Sequence, residues 1–354
     1  MSVHFTCGQM KKALSAHDAW WNKQLHRPLT KVVITDAYKS EGACGAPLLS
    51  QATCADFSYS PQEIIDALDA ELSKYEFLGD AFPMVNFDSF GPGVLAAMCG
   101  ARLDNSSGRV WFFPEKQEEI CDIHALYDPD NKWSRRIKDI YRAGLEKWQG
   151  RVIMGFPDLG GVMDVAATFR GSQALLIDMI DEPYEVLRLI GEIEKAWYAA
   201  YEDFRMTLAP QGAYTHWSGL MSSKPSYIIQ CDLSYMISGD MFQRFVRGTL
   251  ERDTYRLDNT IYHLDGIGEL THLDSVLSLE KLNAVQWQYG DGKPGAGHWL
   301  DIYRRITDAG KQIWVVGYPK DYLDVISALH GTPYSAHTLS AKDEAAARML
   351  LEAR

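Results

Sequence analysis

Two histidines and two aspartates are concentrated in one short stretch of this sequence, IYHLDGIGELTHLD, residues 261–274. His263 and Asp265 are two positions apart at the end of an apolar run that predicts a β-strand, so both side chains would point to the same side of it. An imidazole and a carboxylate placed in this way could hold one divalent metal ion. The structural alternative is that His263 donates to a neighbouring carbonyl and Asp265 caps the DGIG turn. An isolated His-x-Asp motif does not decide between the two.

The second half of the stretch predicts the start of a helix, because ELTHLDSVLSL has the apolar spacing of a first helical turn. Thr271 or Asp274 would then be an ordinary N-cap. His272 stays a candidate for substrate binding, because a helix that begins at the carboxyl end of a barrel strand can direct its first turn toward a ligand.

Other polar and aromatic side chains follow the ends of other predicted strands. Asp88 precedes a Gly-Pro-Gly turn and either caps that turn or faces a ligand, and Asp232 either meets a substrate cation or caps the next loop. His337 lies between the last predicted strand and a helix with Ser340 as its expected N-cap, where it either serves a site or is satisfied by the loop. The remaining candidates for substrate binding are Trp217, Tyr235, Gln286 and Gln288.

The composition is that of a globular protein that acts on small molecules. The chain has 354 residues, 46% of them hydrophobic, which is enough for a large core. A formal net charge of −12 without clustered Lys and Arg argues against nucleic-acid binding. The six cysteines include no CxxC pair, so neither a disulfide framework nor a zinc ribbon is indicated.

A cytoplasmic location with no membrane attachment is expected. No apolar run is long enough to cross a membrane. The first residues, MSVHFTCGQMKKALSAHDAWW, lack the apolar segment of a secretory signal.

Strands and helices must alternate to position the candidate residues, and this alternation begins after residue 80. The repeats predict an α/β fold, a (β/α)8 TIM barrel over residues 81–354, whose active site would lie at the carboxyl ends of the strands. An open doubly wound sheet is the alternative, although no Gly-x-Gly-x-x-Gly follows an early strand. The predicted barrel strands are 83–88, 109–113, 151–156, 213–217, 226–231, 260–265, 284–289, 312–317 and 334–339.

Residues 1–80 predict a helical and irregular N-terminal extension that packs on the barrel. They include a strand that begins at KVVITD. The clearest helix start is SPQE, with Ser60 as N-cap, Pro61 in the first turn and Glu63 completing a capping box.

Several segments resemble the superfamily that contains uroporphyrinogen decarboxylase and the corrinoid-dependent methyltransferases. They are VNFDSFGPGVLAAMCGARLD, FRGSQALLIDMIDEPYEV, CDLSYMISGDMFQRFV and the strand that carries His263, and the resemblance covers about residues 80–354. The second and third of these segments are moderately specific for this superfamily. The resemblance implies a TIM barrel with enzymatic activity.

The methyltransferase branch of that superfamily implies a metal site. There, a His-x-Cys at a strand end and a Cys near the C-terminus hold zinc, which activates a thiol for methyl transfer. The resemblance matches the His-x-Cys with His263 and Asp265, and the Cys region with His337, so neither thiolate is present. Zinc or another divalent metal with nitrogen and oxygen ligands is what this comparison implies, with a corrinoid as the methyl carrier.

The decarboxylase branch implies a different activity. There, an Asp after an early strand holds the pyrrole nitrogens, and N-terminal arginines hold the substrate carboxylates. Asp88 matches that Asp approximately, but HRPLTKVVITDAYKSEG supplies Arg27 and no second Arg. Decarboxylation of a porphyrinogen or of another carboxylated compound is therefore the alternative to methyl transfer.

The sequence thus predicts metal-assisted methyl transfer between a small methylated substrate and a corrinoid carrier. The expected catalytic residues are Asp88, Asp232, His263 and His337. The expected metal ligands are His263, Asp265 and His337. A corrinoid protein and a second copy of this chain, as a homodimer, are candidate partners, and a non-catalytic corrinoid- or tetrapyrrole-binding barrel is the alternative of another class.

Overall fold

Helices and strands alternate along most of the chain. The computed structural model describes residues 3–39, 45–329 and 334–353. The strands are β1 (Leu29–Ile34), β2 (Glu76–Gly79), β3 (Met84–Val85), β4 (Arg102–Asp104), β5 (Trp111–Phe113), β6 (Ile153–Met154), β7 (Ser226–Gln230), β8 (Asn259–Asp265), β9 (Ala284–Gln288), β10 (Gln312–Val315) and β11 (Ser335–Ser340). The helices are α1 (Cys7–Trp21), α2 (Pro61–Leu72), α3 (Leu95–Met98), α4 (Lys132–Trp148), α5 (Val162–Arg170), α6 (Ser172–Asp181), α7 (Pro183–Leu208), α8 (Gly239–Phe245), α9 (Arg247–Arg256), α10 (Leu273–Leu277), α11 (Leu300–Asp308), α12 (Pro319–Ala328) and α13 (Glu344–Glu352).

The central sheet contains most of the long strands. Within the described residues it has seven strands in the order β2-β1-β11-β10-β9-β8-β7. Neighbouring strands run parallel, except that β2 is antiparallel to β1. All five residues of β7 and all four of β10 are buried, as expected for strands covered on both faces. The protein is therefore an α/β protein with a mostly parallel central sheet.

The predicted closure into an eight-stranded barrel is not shown. β3 and β6 form a separate parallel pair, and β4 and β5 form an antiparallel hairpin. Residues 213–217 form no strand in the structure. They contribute a hydrogen bond from Phe156 N to Thr215 O and a single bridge between Tyr214 and Ser222. Pro157 after β6 lacks the N–H that a longer strand would need, and this limits pairing at that point.

The N-terminal segment, which was expected to pack on the barrel, also contributes two strands to the central sheet. β1 lies between β2 and β11, and Lys31 is the register partner of Thr338. β2 forms the edge of the sheet. The boundary between residues 80 and 81 stays a prediction.

Local sequence signals predicted the start of α2 correctly and the start of the last helix wrongly. The capping box of α2 is confirmed: Glu63 N donates to Ser60 Oγ at 3.3 Å, and Ser60 N donates to Glu63 Oε2 at 2.8 Å. The predicted cap of the last helix is wrong, because Ser340 ends β11 and Asp343 accepts from Ala346 N at 2.8 Å. Among the described residues, no helix is both long and apolar enough to cross a membrane.

The Gly-Pro-Gly turn after Asp88 packs against a second glycine segment. Gly93 has φ +86°, and its N–H donates to Asp158 O at 3.0 Å. A Cβ on Gly160, which has φ +80°, would lie 2.6 Å from Gly93 Cα. This contact requires glycine and brings Asp158 beside the turn that follows Asp88.

We expect Gly160→Ala to destabilise the fold more than an alanine placed at positive φ in open space. Gly212→Ala is the matched control, because Gly212 has φ +76° and no atom within 4 Å of an added Cβ. The control should lose about 1 kcal/mol, and Gly160→Ala about 1–3 kcal/mol more from overpacking. Urea unfolding of both variants measures the difference, and equal losses would contradict the described contact.

Candidate functional site

The carboxyl ends of β7, β8 and β9 bring the main candidate residues together. His263 is the register partner of Gln230 in β7 and of Gln286 in β9. Asp232 lies two residues after the end of β7, and Asp265 is the last residue of β8. Because the three strands are parallel, their carboxyl ends meet at one edge of the sheet, where ligands bind in open and closed α/β folds alike.

Asp232, His263 and Asp265 form a cluster that could hold a metal ion. Each offers one ligand atom, and these atoms lie within 4.8 Å of one another. His263 Nε2 is 3.9 Å from Asp265 Oδ2. The side chain of His263 is 13% exposed and that of Asp265 is 41% exposed, so the cluster opens to solvent on the Asp265 side.

Gln286 sets the orientation of His263. Its Oε1 lies 2.5 Å from His263 Nδ1, so with the amide oxygen in that place the Nδ1–H donates and Nε2 keeps its lone pair. Trp217 packs edge-on against the imidazole, with ring centroids 5.1 Å apart. Burial lowers the pKa of His263, which favours the neutral form that binds metals. An outer partner that fixes the tautomer in this way is a regular feature of metal-binding histidines.

Two further carboxylates hold the backbone of the cluster. Asp164, in the first turn of α5, accepts hydrogen bonds from Asp232 N at 3.1 Å and from Leu233 N at 2.8 Å. Glu269 Oε2 accepts from Asp265 N at 3.0 Å. Its Oε1 is buried without a hydrogen-bond partner among the described residues. The cluster is therefore fixed from α5 on one side and from the turn after β8 on the other.

Burial and mutual repulsion raise the pKa values of these acids. Burial, followed by the charge of Asp265, raises the pKa of Asp232 to about 7. Burial and the Asp232 charge raise the pKa of Asp164 to about 7, and burial raises that of Glu269 to about 9. Asp232 nevertheless has a large solvent-exposed area, a combination that fits a residue lining a concave mouth. A cation bound here would relieve the repulsion.

Asp88 and Asp158 extend the acidic surface away from the cluster. Asp158 is 6% exposed, and its pKa is raised to about 7 by burial and by the charge of Asp88. The Asp158 charge in turn raises the pKa of Asp232. Asp88 lines a cavity of about 510 Å³, and burial raises its pKa. The predicted candidate Asp88 therefore acts on Asp158 and is not one of the three ligands of the cluster.

A second cavity of about 230 Å³ ends at Trp217, next to His263. Trp217 forms part of its wall and also contacts His263. This cavity adjoins the larger one, because Leu72, Tyr75, Met84 and Asn86 line both. None of the three candidate ligands lines either cavity, and Trp217 lies between the smaller cavity and His263.

His337 lies on the opposite face of the sheet from His263, which corrects its expected role as a shared metal ligand. The register runs from His263 through Gln286 and Trp314 to Ala336, so it is Ala336 that shares the face of His263. Neighbouring residues of a strand point to opposite faces. His337 is accordingly 1% exposed and packs edge-on against Tyr322 of α12.

The other predicted residues divide between the mouth and the surrounding packing. His272 is 1% exposed, stacks on Phe242 and contacts Ser234 O at 2.9 Å, so it lies in the packing beside α8. Tyr235 is 53% exposed and covers the turn after β8, where a Cβ on Gly268 would lie 2.7 Å from its ring. Gln288 is the register partner of Asp265 and stays at the mouth.

Three residues of the site were not identified from the sequence. Asp164 follows Gly-Gly at the start of a helix, and Glu269 lies four positions after Asp265, two placements that could have been noticed. Lys31, which is buried and lines the cavity of about 230 Å³, interrupts the apolar strand LTKVVI. Its burial was not evident, because a lysine at the start of a strand is normally solvated.

Comparison with known proteins shows a likeness of fold. No protein-family model and no curated protein matches the sequence. A solved structure of a methyltransferase from Methanosarcina mazei superposes with a TM-score of 0.63 at 11% sequence identity, covering 96% of this chain and 97% of that one. At this identity the two share an architecture along nearly their whole lengths.

We expect Asp232→Asn to stabilise the metal-free protein at alkaline pH. The folded-state pKa of about 7 lies above the ordinary value of 3.8, so the folded form binds this proton more tightly than the unfolded form. The stability that comes from the bound proton is therefore lost as the pH rises toward 7. The variant should unfold at a higher temperature than the wild type at about pH 8, and the gap should narrow toward about pH 5.

Thermal unfolding in the presence of a chelator measures this gap. Asp274→Asn is the control, because Asp274, in the first turn of α10, is exposed and pairs with Arg305 at 2.7 Å. A gap for Asp232→Asn that does not change with pH would contradict the description of Asp232 as a crowded acid.

Proposed function

We propose that this chain is a methyltransferase whose substrate is activated by a divalent metal ion held by Asp232, His263 and Asp265. The observation that carries the proposal is the convergence of these three ligand atoms within 4.8 Å at the carboxyl ends of β7 and β8. The fold shared with a methyltransferase supports the reaction class.

The residues present fit such an ion. One imidazole nitrogen and two carboxylates suit zinc, manganese or iron, and they lack the thiolates of a sulfur-rich zinc site. Three protein ligands leave coordination positions open for a substrate atom. When bound, the ion would act as a Lewis acid on the heteroatom that carries or accepts the methyl group.

The protein side chains would position the substrate and move a proton. A heteroatom that loses its methyl group as a cation equivalent keeps the electron pair and can take up a proton. Asp158, with a pKa of about 7, can donate or accept a proton near neutrality, and the charge of Asp88 helps to raise that pKa. Trp217 and Tyr235 would shield the methyl group from water at the mouth.

The finer predictions are part of the same proposal. The methyl carrier would be a corrinoid, bound as a second substrate on its own protein. We also propose the closed TIM barrel, membership of the superfamily named above, a homodimer and a cytoplasmic location. His337 no longer belongs to the proposed ligand set.

We expect the purified wild-type chain to retain about one divalent ion after dialysis against zinc or manganese, as three converging protein ligands predict. His263→Ala should lose that ion, because it removes the only nitrogen ligand. His298→Ala is the matched control, since His298 lies outside the cluster. Elemental analysis by mass spectrometry measures the metal content. A metal content in the His263→Ala protein equal to that of the wild type would refute the proposed metal site.

Gln286→Leu should weaken metal binding without removing a ligand. Loss of the partner of His263 Nδ1 frees the tautomer and the ring, and outer partners of this kind contribute about 10–100-fold in metal affinity. Gln288→Leu, on the same strand, should have a smaller effect. Competition with a fluorescent zinc chelator measures both affinities, and an unchanged affinity in Gln286→Leu would exclude this role.

Methyl transfer itself is assayed with cob(I)alamin as the acceptor and methylated amines, thiols and alcohols as donors. The absorbance change on methylation of the cobalt reports turnover. The activity should depend on the added metal and fail in His263→Ala. Turnover that is equal in this variant and the wild type would refute the proposed chemistry.

A further inference from the structure

A buried lysine without an acidic partner lines the cavity of about 230 Å³. Lys31 is 3% exposed, and its Nζ donates to Ser218 O at 3.1 Å and to Gly219 O at 2.6 Å. An ammonium group has three donors, so these two contacts do not exhaust it. Among the described residues no carboxylate lies within ion-pair distance of Nζ, and Asp80, whose charge acts on Lys31, is held by Arg27 at 2.5 Å.

The cavity is apolar except for a few polar groups. Its hydrocarbon wall is formed by Val33, Leu72, Phe77, Ala81, Phe82 and Met84. The polar groups besides Lys31 include Asn86, Ser218 and Thr338. A mostly apolar cavity with a small number of placed polar groups is typical of a site for a small organic molecule.

Lys31 and His263 lie on the same face of the sheet. Lys31 is the register partner of Thr338, which shares its face with Ala336, and Ala336 follows Trp314 and Gln286 in the register to His263. Trp217 lines the Lys31 cavity and contacts His263. A molecule in this cavity would therefore have a cation near one end and the candidate metal ligands beyond Trp217.

The alternative is that Lys31 only holds the loop at residues 218–219 in place through its hydrogen bonds. Lys311 has this structural role elsewhere: its Nζ donates to Leu279 O at 2.6 Å and to Glu280 O at 3.1 Å. The two lysines have nearly the same backbone contacts. Lys31, however, lines the cavity of about 230 Å³, and Lys311 does not.

An anionic ligand would complete the surroundings of Lys31. A buried cation without a charge partner is costly, and burial lowers the pKa of Lys31 to about 7. A carboxylate placed at Nζ would accept the remaining N–H in a charge-assisted hydrogen bond and raise the pKa. A neutral head group would gain less.

We propose that this cavity binds a small organic acid, with its carboxylate on Lys31 Nζ and its hydrocarbon part against Phe77, Phe82 and Met84. The inference rests on the proposed function in one respect, since it names the substrate class of that site. The methyl-bearing end of the acid would then lie toward Trp217 and His263.

Calorimetric titration of the metal-free protein with straight-chain carboxylates from acetate to octanoate, and with the matching primary amides, tests the proposal. The carboxylates should bind at least about tenfold more tightly than their amides, the factor expected of one charge-assisted hydrogen bond. Lys31→Met should abolish this preference, and Lys311→Met should keep it.

Proton uptake provides a readout that a structural role would not produce. Titration near neutral pH in buffers of different ionisation enthalpy should show that the wild type takes up a fraction of a proton with each bound acid. This measurement needs no variant, so it decides the matter even if Lys31→Met fails to fold. Equal binding of acids and amides, no binding of any acid, or binding without proton uptake would each overturn the proposal.

His263→Ala separates this inference from the proposed function. The acids should bind that variant as they bind the wild type, because Lys31 does not depend on the metal cluster. Lys31-dependent binding without methyl transfer would refute the proposed function alone. Methyl transfer that is unaffected by Lys31→Met would refute the substrate class alone.

Discussion

The parallel register of β7, β8 and β9 determines where the groups of the candidate site lie. His263 pairs with Gln230 on one side and with Gln286 on the other, and Asp265 pairs with Gln288. A shift of one residue in β8 would turn His263 and Asp265 to the outer face, where the helices pack. The burial of Ile261 and Tyr262 on opposite faces of β8 makes such a shift costly, so the hydrophobic core holds the ligands in position.

Packing of the neighbouring segments around these strand ends concentrates negative charge at one edge of the sheet. Burial and mutual repulsion raise the pKa values of Asp158, Asp164 and Asp232 to about 7. Hydrogen bonds donated by backbone N–H groups to the carboxylates of Asp164 and Glu269 fix the cluster despite this repulsion. A fold that keeps acids together at a cost in stability has the character of a functional site, because residues placed only for stability would be paired.

The sequence was enough to predict that the side chains of His263 and Asp265 point to the same face, because residues two positions apart on a strand share a face. It did not allow the face of His337 to be predicted. That face depends on which residue of β11 pairs with Trp314, and a difference of one position reverses it. Asp164 and Glu269 were missed for a related reason: they come from a helix start and a turn, and only tertiary packing brings them to the strand ends. The extent of the sheet was overestimated, since proline and glycine after β6 stop pairing that the apolar run alone suggested.

The charges on the two sides of Trp217 restrict how a substrate could lie. An acid whose carboxylate approached Asp232 and Asp265 would meet like charge in a partly buried setting, where repulsion is stronger than in water. The same acid with its carboxylate at Lys31 would pair with a buried cation and place its other end toward His263. The net charge of −12 also disfavours loose attachment of anions elsewhere on the surface. Lys31 inside the cavity and the carboxylates behind Trp217 therefore favour a single orientation, in which the acid places its carboxylate at Lys31 and its uncharged or cationic end toward Trp217.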